Sequence, residues 1–253
     1  MSDAAIRRRT IGPWTALAAF VVMWIAMAAL GPFFRSALAP FVHIATPRDI
    51  VGFRIVTGLP FSWIALGGTI AILRLCGQGL ADIGWRRPST VWSWLAAFAV
   101  AAFLIFSSFR RAGCQGLCFI DPHVWLTDWS PFRLASSIAI GITAGICEEM
   151  CFRGFVMTEA RDGGAPAAVQ VLLAGLTFGI AHMALAGISG HFDVAAAIGI
   201  VGSTTVFGLL FGVAYLLGRR SLTPLILAHG VFAFTTEPWT LLWGLAKTMQ
   251  AAH

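Results

Sequence analysis

The sequence predicts an all-α integral membrane protein, built as a bundle of seven or eight transmembrane helices. Of its 253 residues, 58% are hydrophobic and only 11% are charged, and the mean hydropathy is +0.83. A soluble domain typically carries about 25% charged residues, because its surface must meet water. With so few charges, much of the exterior must face lipid. The apolar runs also follow one another too closely for a soluble domain to fit between them.

The predicted spans are the apolar runs that reach about 20 residues, the length that crosses the hydrocarbon core as a helix. The first run is longer than the apolar part of a signal peptide, which is about 7–15 residues, so we expect it to stay uncleaved. The last run contains Glu237 and Pro238, and is therefore either one broken span or two short ones. The runs are Ile11–Leu30, Val51–Leu75, Val91–Phe109, Phe132–Met157, Ala165–Ala186, Val194–Leu217 and Leu222–Ala246.

The net charge is +6, and the basic residues form short clusters between the apolar runs. Arginines at such borders set the orientation of a membrane protein, and here they favour a cytoplasmic amino terminus. The arginine-rich start, the absence of an organelle-type transit peptide and the compact chain are typical of a bacterial inner membrane protein. The bilayer is thus the expected surroundings, and no nucleic-acid partner is expected. The oligomeric state stays open.

One predicted span carries ionisable residues, in the run from Gly145 to Gly154. Unpaired carboxylates in a membrane are costly, which makes them functional candidates. Glu149 and Arg153 are four residues apart, so they share a helix face and can pair. Glu148 points about 100° away from Glu149 and has no partner in its own segment. A desolvated carboxylate of this kind suits proton transfer.

Two histidines lie in later apolar runs, and we place both near mid-span. His182 ends the segment that starts at Phe178, and His229 follows Leu227 and Ala228. A single histidine in an apolar helix is usually a packed residue bonded to a carbonyl. Ionisable residues in membranes, however, usually face one another or a watery cavity. One glutamate and two histidines together can bind and activate a water, with or without a metal.

These motifs carry a family resemblance. Glu148-Glu149-x-x-x-Arg153, then Phe178-x-x-x-His182, then His229 resemble the ordered motifs of the CPBP family. That family comprises intramembrane proteases related to the type II CAAX prenyl endopeptidase, and includes bacteriocin-processing and immunity proteins. The resemblance covers roughly Ser130 to Thr236, within a CAAX protease-like membrane core at residues 130–246. Residues 1–129 form transmembrane helices of unassigned role, integrated with that core, which we expect to shape substrate entry.

The resemblance implies a role for each residue. Glu148 would activate water for attack on a peptide carbonyl, and His182 and His229 would orient that water or stabilise the oxyanion. Glu149, Arg153 and Phe178 would support this geometry. The cofactor is left open: a divalent metal such as zinc, held by His182 and His229, or none. The substrate would be a membrane-associated protein or peptide, and prenylation of the substrate is left open too.

The chain departs from the family pattern at one position. Asn or Asp usually follows the second histidine by four residues, and here that position is Ala233. Losing such a hydrogen-bond donor can cost about 10²–10³ in rate. The alternative prediction is therefore an impaired relative that binds a membrane peptide, as in bacteriocin immunity. A less favoured alternative is a proton-coupled transporter, since no internal repeat with broken helices is present.

Two further expectations concern packing and the membrane border. Gly175, Gly179, Gly208 and Gly212 occur at four-residue spacing, which in a membrane protein indicates close helix packing. Glu159, like Asp162, follows the fourth predicted span, and we expect it in the headgroup region.

Overall fold

The computed structural model describes residues 9–41, 47–88, 90–114, 131–183 and 194–250. Over these residues the chain is helical and contains no β-strand, which confirms the predicted all-α class. A π-helical segment, Ala144–Val156, continues α4 and leads directly into α5. The α-helices are α1 Pro13–Leu38, α2 Pro47–Leu75, α3 Val91–Cys114, α4 Pro131–Thr143, α5 Met157–Asp162, α6 Ala167–Ala181, α7 Val194–Leu217 and α8 Leu222–Gln250, and Ala39–Phe41 form one 3₁₀ turn after α1.

Four stretches are long and apolar enough to cross a membrane, judged by length and composition over the described residues. They are Gly58–Leu75, Val91–Ser108, Leu134–Asp162 and Ala197–Leu217. Shorter apolar helices cover Pro13–Met27, Ala167–Ala181 and Leu222–Thr236. The chain is therefore an integral membrane protein, with four spans supported by helix length and three further apolar helices.

Two predicted boundaries differ from the structure. The last run is a single helix, α8, which passes through Glu237 and Pro238 without a break. A proline is tolerated in a membrane helix because neighbouring groups can satisfy the freed backbone carbonyl. The first helix also continues past Leu30 to Leu38. The predicted end of the fifth span at Ala186 lies outside the described residues.

The π-helical segment occupies the centre of the bundle. Its residues are almost all buried, and it packs against α2, α4, α6, α7 and α8. The Phe20 ring of α1 contacts the rings of Phe152 and Phe155, with centroids 5.8 and 5.4 Å away. Thus α1 and α2 pack directly onto the part of the chain that carries the ionisable motif. Long π-helical stretches are rare and occur mostly at functional sites.

Glycines bring α6 and α7 into close contact. A Cβ atom added to Gly208 would lie 2.8 Å from the Cα atom of Gly175, and one added to Gly212 would lie 3.3 Å from Val171. The first distance is too short for any side chain, because the obstacle is backbone. The close packing predicted from the glycine spacing is confirmed, and it brings the end of α6 next to the middle of α7.

Candidate active site

The two adjacent glutamates lie on the π-helical segment and approach the same histidine. Glu149 Oε1 is 2.7 Å from His229 Nδ1, and Glu148 Oε2 is 3.6 Å from His229 Nε2. The two carboxylates point in different directions. An imidazole ring has nitrogens on two sides, and His229 is placed so that one carboxylate faces each.

Glu149 and Arg153 form the predicted ion pair. Arg153 Nη1 donates to Glu149 Oε1 at 2.8 Å, and both side chains are fully buried. Arg153 also donates to the carbonyl oxygen of Gly208 at 3.4 Å, and its guanidinium carbon lies 4.6 Å from the centre of the Phe178 ring. A buried charge needs such partners, because an unpaired one would be costly. The pair therefore ties the π-helical segment to α6 and α7.

The position of Glu149 determines which nitrogen of His229 carries a proton. Glu149 also accepts from Arg153, which is always charged, so we treat this carboxyl as ionised. His229 Nδ1 must then be the donor in the 2.7 Å contact with Glu149. His229 is itself almost fully buried, with 1% of its side chain exposed. Its Nε2 is left to face Glu148.

His182 lies at the carboxyl end of α6 and not at mid-helix as expected. The residue caps α6, which ends at Ala181. Its Nδ1 is 2.8 Å from the carbonyl oxygen of Phe178, one turn earlier. Because a carbonyl can only accept, His182 Nδ1 carries the proton and Nε2 faces away from the helix. The Phe178 ring packs on the imidazole, with centroids 4.4 Å apart.

The structure brings Glu148, His182 and His229 together. Glu148 Oε1 is 3.9 Å from His182 Nε2, and Glu148 Oε2 is 3.6 Å from His229 Nε2. These distances exceed a direct hydrogen bond. Glu148 Oε2 has no hydrogen-bond partner among the described residues. Glu148 and His182 remain partly accessible, at 18% and 19% exposed.

The part of the chain that carries these residues matches one protein family. Residues 129–235 match the sequence model of type II CAAX prenyl endopeptidase Rce1-like proteins. This segment is Rce1-like. The predicted resemblance to the CPBP family is confirmed, and the match indicates a membrane-embedded protease of the CAAX type. No curated protein and no solved structure matches the chain.

Two aromatic residues of the Rce1-like segment were not singled out from the sequence. Phe207 and Phe211 on α7 contact the His229 ring, with centroids 4.8 and 5.2 Å away. The same two rings lie 5.9 and 5.4 Å from the Arg153 guanidinium carbon. They enclose His229 and Arg153 from the side of α7. Their four-residue spacing was a usable signal, but it is shared by many lipid-facing residues.

Ala233, where the family pattern has Asn or Asp, is fully buried in the Rce1-like segment. It packs with Ile140, Ala144 and the partly buried Phe232 in a small apolar cluster. Ala144 lies one turn before Glu148 along the same segment. An Asn or Asp side chain at this position would therefore stand near Glu148 and His229.

The described residues do not form a three-ligand metal site. No group of three or more His, Cys, Asp or Glu side chains among them is arranged to hold a metal ion. His182 and His229 supply only two nitrogens, which face Glu148 from two directions. We therefore derive no step through a metal. Metal binding by the two histidines stays a prediction, and a chelator can test it.

Glu159, which we expect in the headgroup region, is enclosed by other parts of the chain. Its side chain is fully buried, and Arg9 Nη1 donates to Glu159 Oε2 at 3.0 Å. Arg9 also pairs with Asp162. The buried carboxylate is tolerated because the chain before α1 folds back to supply a cation. Arg7 and Arg8, the other members of that cluster, lie outside the described residues.

Proposed function

We propose that the protein is an intramembrane endopeptidase that hydrolyses a peptide bond in a membrane-associated protein or peptide, whether prenylated or not. The observation that carries the proposal is the position of Glu148, which lies within 4 Å of the Nε2 atoms of both His182 and His229. One carboxylate between two imidazole nitrogens can hold a single water by three polar groups. The Rce1-like match over the same residues supports the assignment.

The proposed reaction uses Glu148 as general base and then as general acid. Water bound between Glu148 and the histidines attacks the peptide carbonyl carbon while Glu148 takes its proton. The tetrahedral intermediate collapses by breaking the carbon–nitrogen bond. Glu148 returns the proton to the leaving amine, so the products are a carboxylic acid and an amine. Proton transfer by a positioned side chain typically contributes about 10²–10⁴-fold to the rate.

Charge balance assigns a role to a further proton, shared by Glu148 and His229. If this second proton lies on His229 Nε2, then Glu148, Glu149, Arg153 and His229 together are electrically neutral. If it moves to Glu148, the group is still neutral. Neutrality matters because a net charge in this buried site would be costly. A protonated His229 Nε2 can donate to the oxyanion, while His182 completes the water site from the exposed side.

The test is cleavage of membrane peptides by purified protein in liposomes. Glu148→Gln preserves the shape of the side chain but cannot take a proton, and we expect cleavage to vanish. Ser203→Ala is a matched control, because Ser203 is an exposed α7 hydroxyl bonded only to the Ile200 carbonyl, and its loss should leave cleavage unchanged. A chelator arm tests the metal prediction. Full cleavage by Glu148→Gln would contradict the proposal.

A second candidate function rests on Ala233. Because this buried residue offers no side-chain donor, the chain can instead be a non-catalytic relative that binds a membrane peptide, as bacteriocin-immunity proteins do. Peptide binding without cleavage across a broad peptide set would support that candidate. A proton-coupled transporter is less well supported, because Phe207 and Phe211 enclose His229 on the side of α7, where a relay would have to continue.

The topology belongs to the proposal too. We place seven helical passes in a bacterial inner membrane: α1, α2, α3, the continuous α4–α5 helix, α6, α7 and α8, with the amino terminus in the cytoplasm. Residues 1–129 and 130–246 would work as one unit, since α1 packs on the π-helical segment through Phe20. Reporter fusions before α1 and after α8 test the orientation, because seven passes put the two termini on opposite sides.

We also propose that α1 and α2 shape substrate entry. An apolar groove of about 360 Å³ lies between them, lined by Phe33, Phe34 and Ile64 among others. The adjacent Trp63 donates to Thr143 at 3.1 Å, immediately before the π-helical segment. Filling the groove with Ile64→Trp should change substrate preference. An unchanged preference would count against a role in entry.

A further inference from the structure

Two loops that are far apart in sequence form one surface at an end of the bundle. Arg86 Nη2 donates to the Arg219 carbonyl at 3.0 Å. Ser221 Oγ donates to the Arg86 carbonyl at 3.3 Å, and the Leu222 amide donates to the Gly84 carbonyl at 2.9 Å. These bonds attach the loop between α2 and α3 to the turn between α7 and α8. The side chains carried by both loops are therefore held next to one another.

This surface carries three exposed arginines, Arg86, Arg87 and Arg219, which we call the arginine patch. Within the described part of the chain, none of the three has an ion-pair partner. Asp82 is the acid nearest to Arg86 in sequence, and its carboxylate accepts from the Gly79 amide at 2.6 Å within its own turn. The patch thus presents positive charge that pairs with no carboxylate among the described residues.

The backbone at the patch is unusual for arginine. Arg219 and Arg220 both have left-handed conformations, with φ of 53° and 59°. Glycine adopts this conformation at little cost, whereas other residues are uncommon there. Arg220 uses its side chain internally, donating to Gln170 at 2.5 Å and lying over the Tyr215 ring. Arg219 is exposed, so its side chain is free to act outward.

Tryptophans place the arginine patch at a membrane–water interface. Trp85 precedes the patch and is 41% exposed, and Trp92 at the start of α3 is 69% exposed. Trp14, 52% exposed, lies beside Gly163 at the end of α5 on the same side of the bundle. Exposed tryptophans concentrate at the level of lipid headgroups. His229 is eight residues into α8 beyond Ser221, or roughly 12 Å deeper at 1.5 Å per residue.

We propose that the arginine patch binds the phosphate headgroups of anionic phospholipids. Guanidinium groups carry a permanent positive charge that phosphate oxygens attract, and none of the three in the patch pairs with a described carboxylate. The tryptophans at the same level favour lipid over an acidic segment of another protein. Each arginine near an anionic surface contributes about fivefold in affinity, so two account for about 25-fold. This inference is independent of the proposed protease activity.

The test measures lipid binding to the purified full chain in an uncharged detergent. Native mass spectrometry follows titration with dioctanoyl-phosphatidylglycerol or with dioctanoyl-phosphatidylcholine. We expect tighter binding of the anionic lipid and about 25-fold weaker binding by Arg86→Gln/Arg219→Gln. The charge-retaining Arg86→Lys/Arg219→Lys also loses the guanidinium bond between the loops, yet should bind within a few-fold of wild type. Arg74→Gln, an exposed arginine outside the patch, is the matched control and should bind as wild type.

Three outcomes would overturn the inference. The first is equal affinity for the two lipids. The second is unchanged binding of phosphatidylglycerol by the double glutamine variant, with thermal melting showing that this variant is folded. The third is binding of a glutamate-rich peptide at the patch without binding of phosphatidylglycerol, which would assign the surface to a protein partner.

Discussion

Replacing Glu149 by glutamine separates two roles that one carboxylate can have. Glu149 Oε1 contacts Arg153 at 2.8 Å and His229 at 2.7 Å, and all three side chains are buried. Glutamine removes the charge that compensates Arg153, and breaking a buried pair typically costs about 3–5 kcal/mol. It also replaces the charged acceptor that fixes the proton on His229 Nδ1 with a neutral amide, whose NH2 group can face the ring nitrogen in place of its oxygen. In serine proteases, replacing the aspartate beside the catalytic histidine with asparagine lowers kcat about 10⁴-fold.

The two losses are distinguished by a second variant. In Glu149→Gln/Arg153→Met no buried charge is left uncompensated, so we expect thermal stability to return toward that of wild type. Peptide cleavage should stay low, by about 10³–10⁴-fold, because His229 still lacks the carboxylate that holds its proton on Nδ1. The assays are thermal unfolding in detergent and initial cleavage rates in liposomes. Recovery of both stability and cleavage in the double variant would show that Glu149 is only a counterion, and would refute its positioning role.

Three further changes test the packing and the polar contacts around the site. Gly208→Ala should destabilise the protein by about 1–3 kcal/mol, because its Cβ would meet the backbone of α6. The control is Gly202→Ala on the same helix, whose Cβ meets nothing within 4 Å and which should be neutral in thermal unfolding. Arg9→Gln leaves the buried Glu159 without its cation, and the melting temperature should fall; an unchanged value would mean that this pair adds no stability. Burial and the nearby Glu159 raise the pKa of Cys76 from 9.0 to about 11, so stability should fall as pH rises from 9 toward 11, and Cys76→Ala should remove that part of the pH dependence.

Local features of the site could be predicted from the sequence. The Glu149–Arg153 pair follows from four-residue spacing within one helical segment. The close approach of α6 and α7 follows from glycines such as Gly175 and Gly208, since small residues allow backbones to touch. Both features depend only on residues that lie within a turn or two of one another, or on a regular pattern along two helices.

Contacts between distant residues were not predictable from periodicity. Glu149 and His229 are 80 residues apart, and Arg9 and Glu159 are 150 apart. Hydropathy shows that a segment is buried, but not which segment is its neighbour. The burial of the Glu159 carboxylate was not foreseen, because a charge at the end of an apolar run is usually hydrated. The π-helical winding also has no signature in hydropathy. Because this winding sets the position of each glutamate, those positions could not be predicted.

Ala233 offers the sharpest test of how far this chain follows the pattern of the family that it resembles. Ala233→Asn places an amide one turn beyond His229, next to Ala144 and close to the water site. We expect the rate to rise by about 10²–10³, the usual contribution of one oxyanion donor. Because Ile140 and Ala144 fill the surrounding space, the larger side chain should also cost about 1–3 kcal/mol of stability.

The volume and the amide of the new side chain can be tested separately. Ala233→Leu adds comparable bulk without a donor, so it should lose the same stability and gain no rate. Ala233→Asn/Ile140→Ala makes room for the amide and should keep the gain in rate while recovering part of the stability. If a folded Ala233→Asn protein cleaves no faster than wild type, then the amide at this position has no part in this protein's chemistry. Glu148, His182 and His229 would then have to account for the proposed catalysis without it.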